Sequence, residues 1–138
     1  MIAYVDTSVL VKLVVDEPGS GAAAEIWDEA DVVGAVRIGL VEARAALAAA
    51  RRAGRLTARQ LGAAKNALSG LWSQLVVVEV TEALALGAGD LAETASLRGY
   101  DAVHLAGAIA LEADVVATAG RELAEAASSL GFHTAGTS

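Results

Sequence analysis

Short β-prone runs alternate with longer helix-patterned segments along the whole chain, and this alternation restricts the fold more than any other feature. Strands separated by helices pair in the parallel sense, with the helices lying on the faces of the sheet. The first run, Ile2–Val5, ends at Asp6. Thr7 or Ser8 can cap a helix to about Val15, which Asp16-Glu17-Pro18-Gly19 breaks. A helix over residues 22–29 and a strand over 31–36 follow. Residues 38–53 are Ala-rich with apolar positions at helical spacing, and Gly54 stops them. Thr57 caps the next helix, to about Trp72. Residues 75–80 are dense in Val and read as a strand buried on both faces. Thr81 opens a helical region that Gly87 and Gly89 break and residues 91–97 continue. Asp101 starts a helix to about Glu112, residues 114–118 form a fourth strand, 121–130 a helix closed by Gly131, and 132–134 a short last strand. With one proline and no low-complexity linker, residues 1–138 are expected to form a single α/β domain with a mainly parallel sheet.

Cysteine is absent, which excludes disulfides and thiolate metal sites. No basic stretch precedes a long apolar run at the N-terminus, and the apolar stretches are broken by charge or too short to span a bilayer. A soluble, cytoplasmic protein without membrane contact is expected. The net charge of −7 taken alone argues against a nucleic-acid binder. The distribution differs from the total: residues 43–78 hold no Asp or Glu but six of the ten basic residues, namely Arg44, Arg51, Arg52, Arg55, Arg59 and Lys65. Such a segment can attract a polyanion locally, or it can be a solvated helix face. Arg51 and Arg52 fall at the far end of the helix that carries Glu42 and Arg55 in the turn beyond it, about 14 Å or more from Glu42 at 1.5 Å per residue. That distance suits successive charges along an extended polyanion, so these three are candidate anchors for one.

Three acids are candidates for chemistry. Asp6 ends an apolar strand just before a helix, where ligands of parallel sheets bind; it can also simply cap that helix. Glu42 lies in the first turns of the 38–53 helix among apolar neighbours. Asp101 opens an apolar helix, with His104 three residues on and able to share its face, as a packing residue or a ligand. Together the acids suggest a site for a hard cation, since oxygen-only ligation suits Mg²⁺ or Mn²⁺. Phosphodiester hydrolysis is the chemistry that best uses such an ion and its water.

The segments around these acids resemble the VapC branch of the PIN-domain ribonucleases. Tyr4-Val5-Asp6-Thr7-Ser8-Val9-Leu10-Val11-Lys12-Leu13 is similar to that family's opening strand and first acidic motif. Val41-Glu42-Ala43-Arg44-Ala45-Ala46-Leu47 is similar to the second, and Leu97-Arg98-Gly99-Tyr100-Asp101-Ala102-Val103-His104-Leu105-Ala106 to the third. Ala113-Asp114-Val115-Val116-Ala117-Thr118-Ala119 is similar to the strand that leads to the fourth. The resemblance implies a three-layer α/β/α sandwich and Mg²⁺- or Mn²⁺-dependent endonucleolytic cleavage of RNA. It also implies a VapB-type antitoxin as partner and a homodimer. By match, Asp6 and Asp101 would be the principal metal ligands. Glu42 would complete the set or hold a metal-bound water, and Ser8 and Thr118 would hydrogen bond behind them.

The chain departs from that pattern at one place. After Thr118-Ala119 the family usually has an Asp, and here the residue is Gly120, followed by Arg121-Glu122-Leu123. A missing fourth acid leaves open a catalytically weakened or inactive PIN-fold module that binds RNA or a partner protein. A phosphoryl-transfer enzyme with Asp6 as nucleophile would want an acid where Ser8 stands, and no G-x-G-x-x-G follows the first strand to bind a dinucleotide.

Overall fold

A computed structural model describes all residues, 1–138. The elements run β1 (Ile2–Val5), α1 (Thr7–Val14), α2 (Ser20–Glu29), β2 (Val32–Val36), α3 (Ile38–Arg52), α4 (Ala58–Trp72), β3 (Val76–Val78), α5 (Glu82–Thr94), α6 (Gly99–Leu111), β4 (Val115–Thr118), α7 (Arg121–Ser129) and β5 (His133–Gly136). The five strands form one sheet in the order β3-β2-β1-β4-β5, with every neighbouring pair parallel. No helix is long and apolar enough to cross a membrane.

The period-two alternation of the strands sends their side chains to two separate cores. Ala3, Val5, Val33, Ala35 and Ala117 pack with residues of α1, α2, α3 and α4 on one face. Tyr4, Val36 and Val116 pack with residues of α5, α6 and α7 on the other. The result is an α/β/α sandwich. Helix starts follow local chemistry: Asp6 caps α1 by accepting from the Val9 N–H. Thr57 and Gln60 form a reciprocal capping box on α4, and Thr81 caps α5.

Three expectations are corrected. Strand β3 is a short edge strand with Val76 47% exposed, because it pairs with β2 alone and has no neighbour on its other side. The Val-rich run reflects β propensity there, not burial on both faces. Helix α5 runs unbroken through Gly87 and Gly89, since packing against α6 compensates the weak helix propensity of glycine. Helix α6 begins at Gly99, so Asp101 sits inside its first turn and does not cap it.

The strand order carries the functional consequence. The chain moves from β1 outward through β2 to β3, then crosses back to place β4 on the other side of β1. The β1–β4 boundary is therefore the point where the winding direction reverses, and the loops leaving the two strand ends part there to open a crevice.

Gly107 of α6 also bears on this centre. A Cβ built there would lie 3.0 Å from Tyr4 Cε2 and 3.1 Å from its hydroxyl oxygen. Alanine normally gains about 1 kcal/mol over glycine inside a helix, whereas overpacking a core costs about 1–3 kcal/mol. Tyr4 is fully buried and hydrogen bonded, so it cannot move aside cheaply. Gly107→Ala is therefore expected to lower the urea midpoint despite its better helix propensity; an unchanged or raised midpoint would show that the Tyr4 ring can yield.

Candidate functional site

The C-terminal ends of β1, β2 and β4 lie side by side, and each delivers polar residues to one crevice. Asp6 follows β1, Glu42 lies in the second turn of α3 after β2, and Gly120 and Glu122 follow β4. Asp101 and His104 reach the same place from α6. These residues, with Thr7, Ser8, Val11, Glu17, Ala46 and Tyr100, line an open cleft of about 470 Å³.

Asp6 is 8% exposed, and both of its oxygens are already engaged. Oδ1 accepts from Ser8 Oγ at 2.6 Å and from the Val9 N–H at 3.2 Å. Oδ2 accepts a short hydrogen bond from Thr118 Oγ1. The two hydroxyls are themselves held in place: the Ala119 N–H donates to Ser8 Oγ at 3.0 Å, and the Gly120 N–H to Thr118 Oγ1 at 2.9 Å. Asp6 thus ties the ends of β1 and β4 together across the winding reversal.

Glu42 is half-buried. Its Oε1 accepts from Thr7 Oγ1 at 3.0 Å and pairs with His104 Nε2 at 2.9 Å. Burial pushes its carboxyl up, but the His104 and Thr7 interactions outweigh that, and the group lies below the ordinary glutamate value. Asp101 behaves in the opposite way. Burial raises its carboxyl, the nearby Asp6 and Glu122 charges raise it further, and His104 and Arg98 only partly compensate.

Oxygen donors of this kind suit a hard divalent cation. Their arrangement does not assemble one: no three His, Asp or Glu side chains come together closely enough to hold a metal ion. Asp6 spends its oxygens on Ser8, Val9 and Thr118, and one oxygen of Glu42 is taken by His104 and Thr7. Gly120 contributes no side chain. Its backbone (φ −83°, ψ 125°) is open to any residue, so the glycine is not required by conformation.

The basic residues fall elsewhere. Arg51 and Arg52 are exposed in the last turn of α3. Arg55 lines a second cavity of about 370 Å³ with Val11, Glu17 and Ala46, which also line the acidic cleft, so the two share a wall. Sequence reasoning missed Tyr4, Thr7 and the part Glu122 plays at the cleft. The position of Glu122 in the first turn of a helix that follows a strand end was the available signal.

The PIN domain family profile matches residues 3–128. Ribonuclease VapC45 of Mycobacterium tuberculosis is 42% identical over 110 residues, which is 80% of this chain and 76% of that protein. Among solved structures, the fold is similar to VapC20 of Mycobacterium tuberculosis, described as a Sarcin-Ricin loop cleaving toxin. That likeness has a TM-score of 0.68 at 24% identity and covers 94% of this chain and 95% of the other. It is also similar to VapBC2 from Rickettsia felis bound to a DNA fragment from their promoter, with a TM-score of 0.68 at 16% identity over 99% and 98% of the two chains.

The raised Asp101 carboxyl has a consequence for stability. The folded chain holds that proton more tightly than the unfolded chain does, so the cost to stability grows as pH rises past the unfolded value and is complete above the folded one. Below the unfolded value of about 3.9 both states are protonated and the cost vanishes. Asp101→Asn is expected to raise Tm at pH 7, with the difference closing as pH falls below about 3.9. A mutant less stable than the parent at pH 7 would show that Asp101 is a net stabilising group.

Proposed function

Because this chain belongs to the PIN-domain family, in its VapC-type branch, we propose that it is the toxin-type component of a toxin–antitoxin pair with a weakened hydrolytic centre. In this reading it binds RNA and a partner protein and cleaves RNA phosphodiester bonds slowly. The observation that carries the reading is the state of the acidic cleft: Gly120 stands where a fourth acid is expected, Asp6 is engaged on both oxygens and Glu42 on one, and no three His, Asp or Glu side chains come close enough to hold an ion.

Asp6, Glu42 and Asp101 are the residues proposed to act on RNA, with Ser8 and Thr118 fixing Asp6. Mg²⁺, or Mn²⁺ in its place, is the ion that this oxygen donor set suits, and it would supply charge neutralisation beside the phosphate. Arg51, Arg52 and Arg55 are proposed to hold phosphates away from the cleft. The wall that the Arg55 cavity shares with the acidic cleft places the two side by side, which supports a strand running between them. The partner is proposed to be a VapB-type antitoxin that inserts a basic side chain among the carboxylates, because arginine binds such groups bidentately. Action as a single cytoplasmic unit over residues 1–138, paired as a homodimer, belongs to the same reading.

A second reading, a fully active Mg²⁺-dependent endoribonuclease, is favoured by Glu122, which lines the cleft two residues beyond Gly120 and could replace the missing acid. Cleavage of a labelled single-stranded RNA under Mg²⁺ and Mn²⁺ titration separates the two. For the weakened centre, the parent chain is slow, Gly120→Asp is faster by about 10–100-fold, the range typical of groups that support metal ligands, and Glu122→Gln changes little. For the full enzyme, the parent is fast, Gly120→Asp adds nothing and Glu122→Gln is impaired. A Cβ at position 120 would meet Thr118 Oγ1 at 3.3 Å, so Thr118 must give by a few tenths of an ångström.

The basic segment gives an independent expectation. Arg51→Ala combined with Arg55→Ala should weaken binding of a non-cleavable RNA. It should also flatten the dependence of log Kd on log salt by roughly 0.7 for each single-strand phosphate that the protein no longer neutralises. Unaltered affinity and slope would assign these arginines to a solvated face.

A further inference from the structure

His104 is 2% exposed and Tyr4 is fully buried, yet both carry polar atoms in the middle of the core that packs against α6. Their hydrogen bonds form one line from the backbone to the cleft. The Val36 N–H donates to Tyr4 Oη at 3.3 Å. Tyr4 Oη lies 2.7 Å from His104 Nδ1, and His104 Nε2 lies 2.9 Å from Glu42 Oε1. The two rings meet edge to face, with centroids 5.9 Å apart and planes at 70°.

Donor and acceptor counting assigns the hydrogen of the neutral His104 ring. Tyr4 Oη accepts from Val36, and its own hydrogen has His104 Nδ1 as its partner, so Nδ1 is the acceptor. Nε2 then carries the ring hydrogen and donates it to Glu42. The far end requires the same answer, since a bare Nε2 would set a lone pair against a carboxylate oxygen. Thr7 Oγ1 adds a second hydrogen bond to the same Glu42 oxygen at 3.0 Å. All the protein's grip is on Oε1, and Oε2 accepts no hydrogen bond from the chain.

We propose that Tyr4 and His104 are positioning residues that hold Glu42 by one carboxylate oxygen and leave the other free to accept from a water beside a bound RNA. His104, although it lines the acidic cleft, is on this account an orienting donor and not a metal ligand. The inference rests on the RNA-cleaving reading above only for its kinetic consequence; the hydrogen assignment stands on the protein alone. Tyr4 has no exposed surface and cannot touch RNA, so any effect of its hydroxyl on the reaction must pass through His104 and Glu42.

The test has two arms. Nitrogen-15 NMR of the unmodified full chain reads the His104 ring, identified by its loss in His104→Gln and distinct from the exposed His133. The expected signature is one tautomer, Nδ1 bare and hydrogen bonded, Nε2 bearing a slowly exchanging hydrogen. Tyr4→Phe should speed that exchange. An Nδ1–H tautomer, a mixture, or protection unchanged in Tyr4→Phe overturns the assignment. The kinetic arm follows RNA cleavage. Tyr4→Phe should lower kcat by about 10–100-fold, as loss of groups that support ligating side chains does, with KM unchanged. His104→Gln, which can still donate to Glu42, should retain more activity than His104→Leu. Equal kcat in Tyr4→Phe and parent, or equal loss in the Gln and Leu variants with Tm preserved, overturns the positioning role. If the parent cleaves no RNA in either metal, the slow-cleavage reading fails, and the ring signature still decides the relay.

Discussion

Strand β1 has a hydrogen-bonded neighbour on each side and a helical layer on each face, and this enclosure shapes everything else in the molecule. Ala3, Tyr4 and Val5 are buried almost completely, so polar groups on the strand must find partners inside the protein or emerge at its end. Tyr4 takes the first course and Asp6 the second. The hydroxyl of Tyr4 is satisfied by Val36 and His104, and Asp6 emerges where the sheet reverses its winding. One four-residue strand thus supplies both the floor of the acidic cleft and the buried anchor behind Glu42.

The cleft gathers negative charge with no Lys or Arg among its lining residues. Its residents divide by how the protein treats them. Asp6 is wrapped by two hydroxyls and a backbone N–H, Glu42 is gripped on one oxygen, and Asp101 is left to bear burial and the repulsion of Asp6 and Glu122. A cleft of this kind favours positively charged visitors, whether a divalent ion that accompanies RNA or an arginine from a partner. Gly120 brings no charge to a place where the backbone would accept any residue.

Much of this was legible from the sequence for a local reason. Strand and helix periods are written in adjacent residues, and so were the parallel sheet, the helix starts at Thr57 and Thr81, and the acids at strand and helix ends. Where neighbours in space override local preference, the reading failed. The Val-rich β3 looks like a central strand but pairs on one side only, and α5 ignores two glycines because α6 covers it.

The sequence by itself determined the layered α/β architecture, the set of acids available and the glycine at position 120, because residue type and spacing alone state these things. Only the tertiary structure decided what the acids can do. Partners 35, 62, 100 and 112 residues apart set the hydrogen bonds of Glu42, Tyr4 and Asp6. In the sequence Tyr4 is simply one more apolar strand residue, and its hydroxyl acquires a meaning when the crossover from β3 brings α6 and His104 against it.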